Sequence, residues 1–438
     1  MLYRKIEEKI ENYLKSNSNK VLIVDGARQI GKTFIIRDAC KKMFSNYIEI
    51  NLLQDKQGLK TFENINTVED FYLQISMTHG NLLKEKDNTI IFLDEIQCYP
   101  NLITLLKFLK EDNRYNYIAS GSLLGVTLAD TLSIPIGSIE ILKMYPLDFE
   151  EFLIANGFNS LVINSLRESY KNRKSLSEEN HNKIIDLFKK YLLVGGLPDA
   201  VNTYLKDKNI VTIRNIQNDI ISLYKQDASN YDKKRKLKIQ RIYEMIPSNL
   251  ENKKKRIIIQ EIENKRGKSY EEYLDEFDYL INAGIALEVK AISTPTFPLI
   301  EISSKNLLKL YLNDVGLLTN ILYKNNIRAI LDNKNSINLG SVYESVVASE
   351  LSAHGHNLFY YDNKKNGEVD FLIDDYDNLS VLPIEVKSGK DYKIHSAIEK
   401  FLANKDYSTK EGIVLSNNKD IYYEDGILYL PIYYIMFI

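Results

Sequence analysis

Gly26-Ala27-Arg28-Gln29-Ile30-Gly31-Lys32-Thr33 sets two glycines, a lysine and a hydroxyl at the spacing G-x-x-x-x-G-K-[ST], after an apolar run and before a helical pattern. Glycines at both ends of such a loop let successive backbone N–H groups point into one concavity, and the positive end of the next helix adds to this anion cradle. The eight residues therefore read as a phosphate-binding loop for ATP, with Lys32 reaching the β- and γ-phosphates and the Thr33 hydroxyl on Mg²⁺. A chance glycine turn would need neither the strand before it nor the helix after it. Thr89-Ile90-Ile91-Phe92-Leu93-Asp94-Glu95 is a second such element, an apolar strand that ends in two adjacent acids. Asp94 is placed to complete the Mg²⁺ shell and Glu95 to polarise the attacking water, a pair of roles that hydrolysis needs and nucleotide binding does not. The plainer reading of the pair is acids at a helix N-terminus. Ser120 and Ser122 follow the next apolar run, where one of them would touch the γ-phosphate or the water, unless both are ordinary strand-to-turn serines.

A second constellation lies in the last third of the chain. Glu344 falls on a helical pattern, Glu368 and Asp370 alternate on one strand, and Glu385-Val386-Lys387 alternates on another. Period two puts Glu368 with Asp370, and Glu385 with Lys387, on common strand faces. If the two strands are neighbours, Glu344, Asp370 and Glu385 surround Mg²⁺ or Mn²⁺, since hard divalent cations take oxygen ligands. Lys387 would then orient or deprotonate water for attack on a phosphodiester while the metal stabilises the developing charge. A salt-bridge cluster, or a fold relic without activity, uses the same residues.

The elements that must hold these groups follow from hydrophobic periodicity. Between Val21 and about Leu142, short β-branched runs at Val21-Val24, Tyr47-Ile50, Ile90-Leu93, Tyr117-Ala119 and Ile139-Leu142 alternate with helical patterns, which predicts a parallel sheet. From Leu147 to about Lys225 the period turns helical, broken at Gly195-Gly196-Leu197-Pro198, and predicts a lid on the first domain. Lys233 to Ile292 gives three short helical patterns and then an apolar strand-like pair, Ala286 to Ile292, as in a winged-helix-like module, with basic runs at Lys233-Lys238 and Lys253-Arg256. Strands at Leu358-Tyr361, Val369-Ile373, Leu382-Val386 and Gly412-Leu415 predict a second α/β domain. The expected fold class is thus α/β multidomain, with boundaries at 1–225, 226–300 and 301–438.

The chain has 438 residues, 57 Lys plus Arg against 59 Asp plus Glu, and two cysteines, Cys40 and Cys98. Near-neutral charge restricts any DNA surface to local patches, and the two basic runs are the candidates. Two cysteines exclude a disulfide framework and fit a reducing compartment, so the cytoplasm is expected. Met1 to Lys20 reads as a charged amphipathic helix, and no apolar run nears the roughly 18 residues that a bilayer requires, so neither secretion nor membrane insertion is expected. His354 and His356 flank Gly355 but lack further histidine or cysteine partners for a metal.

The segments Gly26-Thr33, Phe92-Gln97, Ser120-Leu124, Tyr145-Leu153, Tyr191-Val201, Lys309-Leu318, Gly340-Ser349 and Gly367-Gly389 resemble a family of prokaryotic AAA-like ATPases. In that family the C-terminal half looks like a restriction-endonuclease-type domain, and the resemblance covers nearly the whole chain. It implies a P-loop NTPase sheet followed by a restriction-endonuclease-like α/β domain with an Asp, Glu-x-Lys site, Glu344 standing in the place of the first-helix acid. The family usually carries Arg after the glycine that precedes its Pro-Leu-x-Phe-x-Glu-Phe-Leu element. Here Ser138 follows Gly137, which leaves Arg28 and Arg114 as the arginine-finger candidates. The expected function is Mg²⁺-dependent ATP hydrolysis coupled to binding of DNA or another nucleic acid, or to its metal-dependent cleavage, with a homo-oligomer or a protein partner in prospect. Its rival is an ATP-controlled switch with an inactive nuclease-like domain. A small-molecule kinase would leave Glu95 and the C-terminal half without a role.

Overall fold

The computed structural model describes residues 2–16, 18–122, 137–231, 235–299, 304–331, 339–389, 396–407 and 409–438. Leu124, Lys233 and Lys234 lie outside these. The chain is α/β and divides into two compact units, one of Arg4–Tyr145 with Asn282–Gly284, the other mainly of Pro146–Ile281 and Ile285–Ile438. Among the described residues no helix is long and apolar enough to cross a membrane.

In the first unit, strands β1 (Val21–Asp25), β2 (Asn46–Asn51), β3 (Thr89–Asp94), β4 (Asn116–Gly121) and β5 (Ile139–Lys143) form a parallel sheet in the order β2-β3-β4-β1-β5. The helices are α1 (Lys5–Lys15), α2 (Lys32–Met43), α3 (Leu52–Gln57), α4 (Val68–His79) and α5 (Pro100–Asp112). β1 and β3 are buried along their whole length, which is why they read as unbroken apolar runs and not as alternating ones. Ile23, Ile48, Ile91, Leu102, Leu106 and Phe71 lie in the core packed against the sheet. All five strands point the same way, so the carboxyl ends of β1, β3 and β4 open together, the place where sheets of this kind hold ligands.

The second unit carries helices α6 (Phe149–Ala155), α7 (Ser160–Lys171), α8 (Glu178–Val194), α9 (Pro198–Asp207), α10 (Ile210–Tyr231), α11 (Lys236–Glu251), α12 (Ile259–Glu263) and α13 (Leu274–Asn282). The chain then forms β6 (Ala286–Ile292), β7 (Ser304–Leu312), α14 (Val315–Tyr323), α15 (Arg328–Leu331), α16 (Gly340–Ala353), β8 (Phe359–Asn363), β9 (Gly367–Asp375) and β10 (Ser380–Val386). It ends with α17 (Ser396–Leu402), β11 (Gly412–Ser416), β12 (Tyr422–Glu424) and β13 (Ile427–Pro431). Eight strands make one mixed sheet in the order β12-β13-β11-β10-β9-β8-β6-β7.

Two expectations about organisation are corrected here. The helices from Phe149 to about Lys225, expected as a lid on the first domain, belong to the second unit because their polar anchors are there. Glu350 of α16 accepts the Phe149 N–H at 2.8 Å, and Asp314, which caps α14, accepts the Gly196 N–H at 2.6 Å. Burial pushes the Asp314 carboxyl up to about 6 against the N–H groups of Gly196 and Leu317 that hold its charge. The expected winged-helix-like module has its helices, α11 to α13, but its strands are not a free wing. β6 pairs antiparallel with β7 on one edge and parallel with β8 on the other, so both strands belong to the large sheet.

Candidate functional site

The loop between β1 and α2 has the backbone that its sequence predicts. Gln29 has φ +64° and Gly31, which opens α2, has φ +95°, both left-handed. A side chain at Gly26 would strike the Met144 carbonyl oxygen, 2.3 Å from a Cβ placed there, so only glycine fits. Lys32 is 5% exposed and its Nζ donates to the carbonyls of Gly26 and Ala27, 2.8 Å each. Burial lowers the Lys32 pKa, opposed by the carboxylates of Glu95, Asp25 and Asp94.

Thr33 joins this loop to the acidic strand end, its hydroxyl lying 3.0 and 3.2 Å from the two Asp94 oxygens. Asp94 also accepts from Ser120 and, at 3.4 Å, from Asn51 Nδ2. Burial raises the Asp94 pKa, and the hydrogen bonds from Ser120 and Thr33 work against that rise, while neighbouring Glu95 adds to it. An acid made costly by burial and like charge is one that a cation relieves. Glu95 follows at φ +60°, a rare conformation for a non-glycine residue, which turns its side chain out of the strand's alternation. Its carboxylate accepts from Gln97 Nε2 and from Ser122 Oγ, the latter at 3.2 Å, and Gln97 and Ser122 are themselves linked at 3.1 and 3.2 Å. Gly26 to Thr33, Asp94, Glu95, Ser120 and Ser122 are thus brought together. Ser120 and Ser122 both serve the acids, one on Asp94 and the other on Glu95. Sequence reading gave no role to Gln97 or Asn51, although Gln97 stands only two residues from Glu95.

The arginine-finger candidate Arg114 lies elsewhere. It precedes β4 at the amino-terminal edge of the sheet, paired with Glu69 at 3.1 Å and Asp112 at 3.0 Å and stacked over Tyr72. Arg28 stays on the phosphate loop. Cys40 and Cys98 are both buried free thiols, pushed up by burial to about 12 and about 11, so neither is poised for chemistry.

In the second unit β9 and β10 are antiparallel neighbours with Ile384 opposite Phe371, so Glu385 and Asp370 stand one step further on, on a common face. Asp370 Oδ2 accepts the Val386 N–H at 2.8 Å, and Lys387 Nζ lies 2.8 Å from Glu385 Oε1. Burial pushes Glu385 up to about 8, with Asp370 adding to the rise and Lys387 opposing it. Glu344, on α16, is also raised, first by burial and then by Asp370. Glu344, Asp370 and Glu385 are therefore close enough to act on one another's charge. Their arrangement differs from a ready ligand set, because among the described residues no three His, Cys, Asp or Glu side chains are placed to hold a metal. The reason is specific to Glu344, which is ion-paired with Lys255 on one oxygen and accepts from Tyr311 at 3.0 Å on the other. Asp370 and Glu385 fit a cation better, since the second Glu385 oxygen is buried without a hydrogen-bond partner. Glu368, on the same strand face as Asp370, pairs with Lys309 at 2.6 Å and Arg256 at 3.3 Å.

These pairs also revise the basic runs. Lys255 and Arg256 are spent inside the unit, Arg256 on Asp362 at 2.8 Å as well as on Glu368. From the other run, Arg235 pairs with Asp275, and Lys238 pairs with Glu263 at 3.6 Å and lies over the Tyr273 ring. Basic residues clustered in sequence here answer acids distant in sequence, which leaves Lys253 and Lys254 as the exposed remainder of the second run.

Residues 18–153 match the AAA domain family, which with the geometry above defines an AAA-type P-loop ATPase domain. Residues 185–328 match a domain of unknown function, DUF8612, and residues 339–435 another, DUF4143. The uncharacterized protein MJ1637 of Methanocaldococcus jannaschii is 23% identical over 98% of this chain and 87% of its own length. Among solved structures, the Walker-type ATPase PABY2304 of Pyrococcus abyssi is similar with a TM-score of 0.43 at 13% identity, covering 73% of this chain and 95% of that one. The ORC1 protein of Aeropyrum pernix, solved in complex with DNA, has a TM-score of 0.32 at 12% identity, covering 75% of this chain and 94% of that one.

Proposed function

We propose that the first unit binds ATP with Mg²⁺ at residues 26–33 and hydrolyses it, and that the nucleotide state controls the second unit. The observation that carries the hydrolysis reading is the continuous chain of hydrogen bonds from Thr33 through Asp94 and Ser120 to the Glu95 backbone. It ties the phosphate loop to the acids at the end of β3. Thr33 and Asp94 are the residues that would hold Mg²⁺, which when bound neutralises charge on the phosphates. Lys32 supplies a buried ammonium to the phosphate oxygens, and Glu95 aligns the water. Two buried thiols accord with a reducing, cytoplasmic setting. Calorimetry with ATP tests the loop. Lys32→Ala is expected to weaken binding about tenfold to a hundredfold, the value of a charge-assisted hydrogen bond, and unchanged affinity would remove Lys32 from the phosphate site.

For the second unit the reading is metal-dependent cleavage of a nucleic-acid phosphodiester. Asp370 and Glu385 would hold Mg²⁺ or Mn²⁺, and Lys387 would steer or deprotonate the attacking water. The partner would be DNA in a single-stranded, duplex or branched form. One observation favours the rival, an ATP-controlled switch that binds a protein partner or further copies of itself, and that is the Lys255 ion pair on Glu344. Incubation of DNA of all three forms with Mg²⁺ or Mn²⁺, with and without ATP, separates them. The cleavage reading predicts products that vanish in both Asp370→Ala and Glu385→Ala, with ATP turnover kept. Intact DNA in every lane beside normal ATP turnover would count against the cleavage reading and favour the switch.

A further inference from the structure

We propose that Lys255 is a built-in cation that holds the divalent-metal position of the Glu344, Asp370 and Glu385 cluster and must withdraw before the cluster accepts Mg²⁺ or Mn²⁺. The proposal rests on the metal-dependent reading of that site. Its starting point is the mismatch at Glu344, where an acid expected to face a metal has both oxygens occupied, one by Lys255 and one by Tyr311.

Glu344, Asp370 and Glu385 share a buried cluster with Lys255 on Glu344 and Lys387 on Glu385, so a divalent ion that took the place of Lys255 would keep a cation beside the acids. The second Glu385 oxygen, buried and unpartnered while Glu385 itself is 7% exposed, is the atom that such an ion would satisfy.

Lys255 has φ +51° in the turn after α11, and its N–H is bonded back to the Asn252 carbonyl at 3.1 Å. The next residues are fixed independently, Arg256 by Asp362 and Glu368 and Ile257 by its N–H on the Leu308 carbonyl at 3.0 Å. Lys253 and Lys254 before it are exposed, and the Lys255 side chain is itself 20% exposed. The ammonium therefore has a route to solvent by rotation of one side chain, without disturbance of the strands that carry Asp370 and Glu385.

Mn²⁺ binding to the full chain without nucleotide, measured by the electron paramagnetic resonance of the free ion, tests this. Lys255→Met is expected to bind Mn²⁺ at least about tenfold more tightly than wild type, the gain disappearing in Lys255→Met/Glu385→Gln. In the wild-type chain, whose fold is not in question, saturating Mn²⁺ is expected to increase acetylation of Lys255 read by mass spectrometry. Equal Mn²⁺ affinity of wild type and Lys255→Met, both lost with Glu385→Gln, overturns the role of Lys255 and leaves the metal site standing. Unchanged Lys255 acetylation when Mn²⁺ is bound overturns it equally. Mn²⁺ binding that is indifferent to Glu385 in every variant removes the metal site, and the proposal with it.

Discussion

Glu95→Gln is expected to leave ATP affinity within about twofold of wild type and to slow turnover by about a hundredfold or more, the usual value of a positioned general base. Glutamine keeps the size of the side chain and its contacts to Gln97 and Ser122, but it no longer accepts a proton or polarises water as a carboxylate does. The geometry isolates this role. Asp94 carries the hydrogen bonds from Thr33, Ser120 and Asn51 and lies beside the phosphate loop, whereas Glu95 has a left-handed backbone and its carboxylate accepts from Gln97 and Ser122. Single-turnover hydrolysis beside equilibrium nucleotide binding separates the two effects. Turnover near the wild-type rate would move water activation to another residue, while lost binding would make Glu95 part of the nucleotide pocket.

Gly196→Ala is expected to destabilise the second unit by about 3 kcal/mol or more, at the upper end of what overpacking costs. A Cβ on Gly196 would lie 2.0 Å from the Leu147 carbonyl oxygen and 2.7 Å from its nitrogen, all backbone, so no side-chain rotation relieves it. The same glycine carbonyl accepts the Leu147 N–H at 2.7 Å, and its own N–H is the one that Asp314 accepts. One methyl group thus opposes a closed set of buried hydrogen bonds. Urea unfolding followed by tyrosine absorbance and by far-ultraviolet circular dichroism resolves the transition of this unit, since two units need not unfold together. A midpoint equal to wild type would mean that the turn yields where its packing says it does not.

What the sequence made legible was what depends on neighbours in sequence. β1 was expected at Val21-Val24 and spans Val21–Asp25, and β3 was expected at Ile90-Leu93 and spans Thr89–Asp94, because fully buried parallel strands are unbroken apolar runs. The phosphate loop was legible because its spacing is itself the geometry. β7 was not, and Lys309 shows why. A lysine in the middle of Lys305 to Leu312 reads as solvent-facing, yet it is fully buried, paired with Glu368 and stacked on Tyr360. Lys255 and Arg256 misled in the same manner, since a run of basic residues carries no record of the acids about 90 and 110 positions later that consume it. The Gly195-Gly196 pair announced a turn, but a side chain at Gly195 is excluded by Asp314 and one at Gly196 by the Leu147 backbone, and Asp314 stands 118 residues on from Gly196. Sequence-local chemistry was readable, and charges that are answered across the fold were not.

The position of β6 also bears on where this chain can be cut. It stands between β8 and β7 in the sheet, although more than 60 residues separate it from β8. A piece starting at residue 301 would strip β8 of its partner along Phe359 to Tyr361 and leave β7 with no sheet to join. Such a bare edge invites pairing with another molecule. The middle segment and the last segment are therefore one folding block, because the strands of the one complete the sheet of the other.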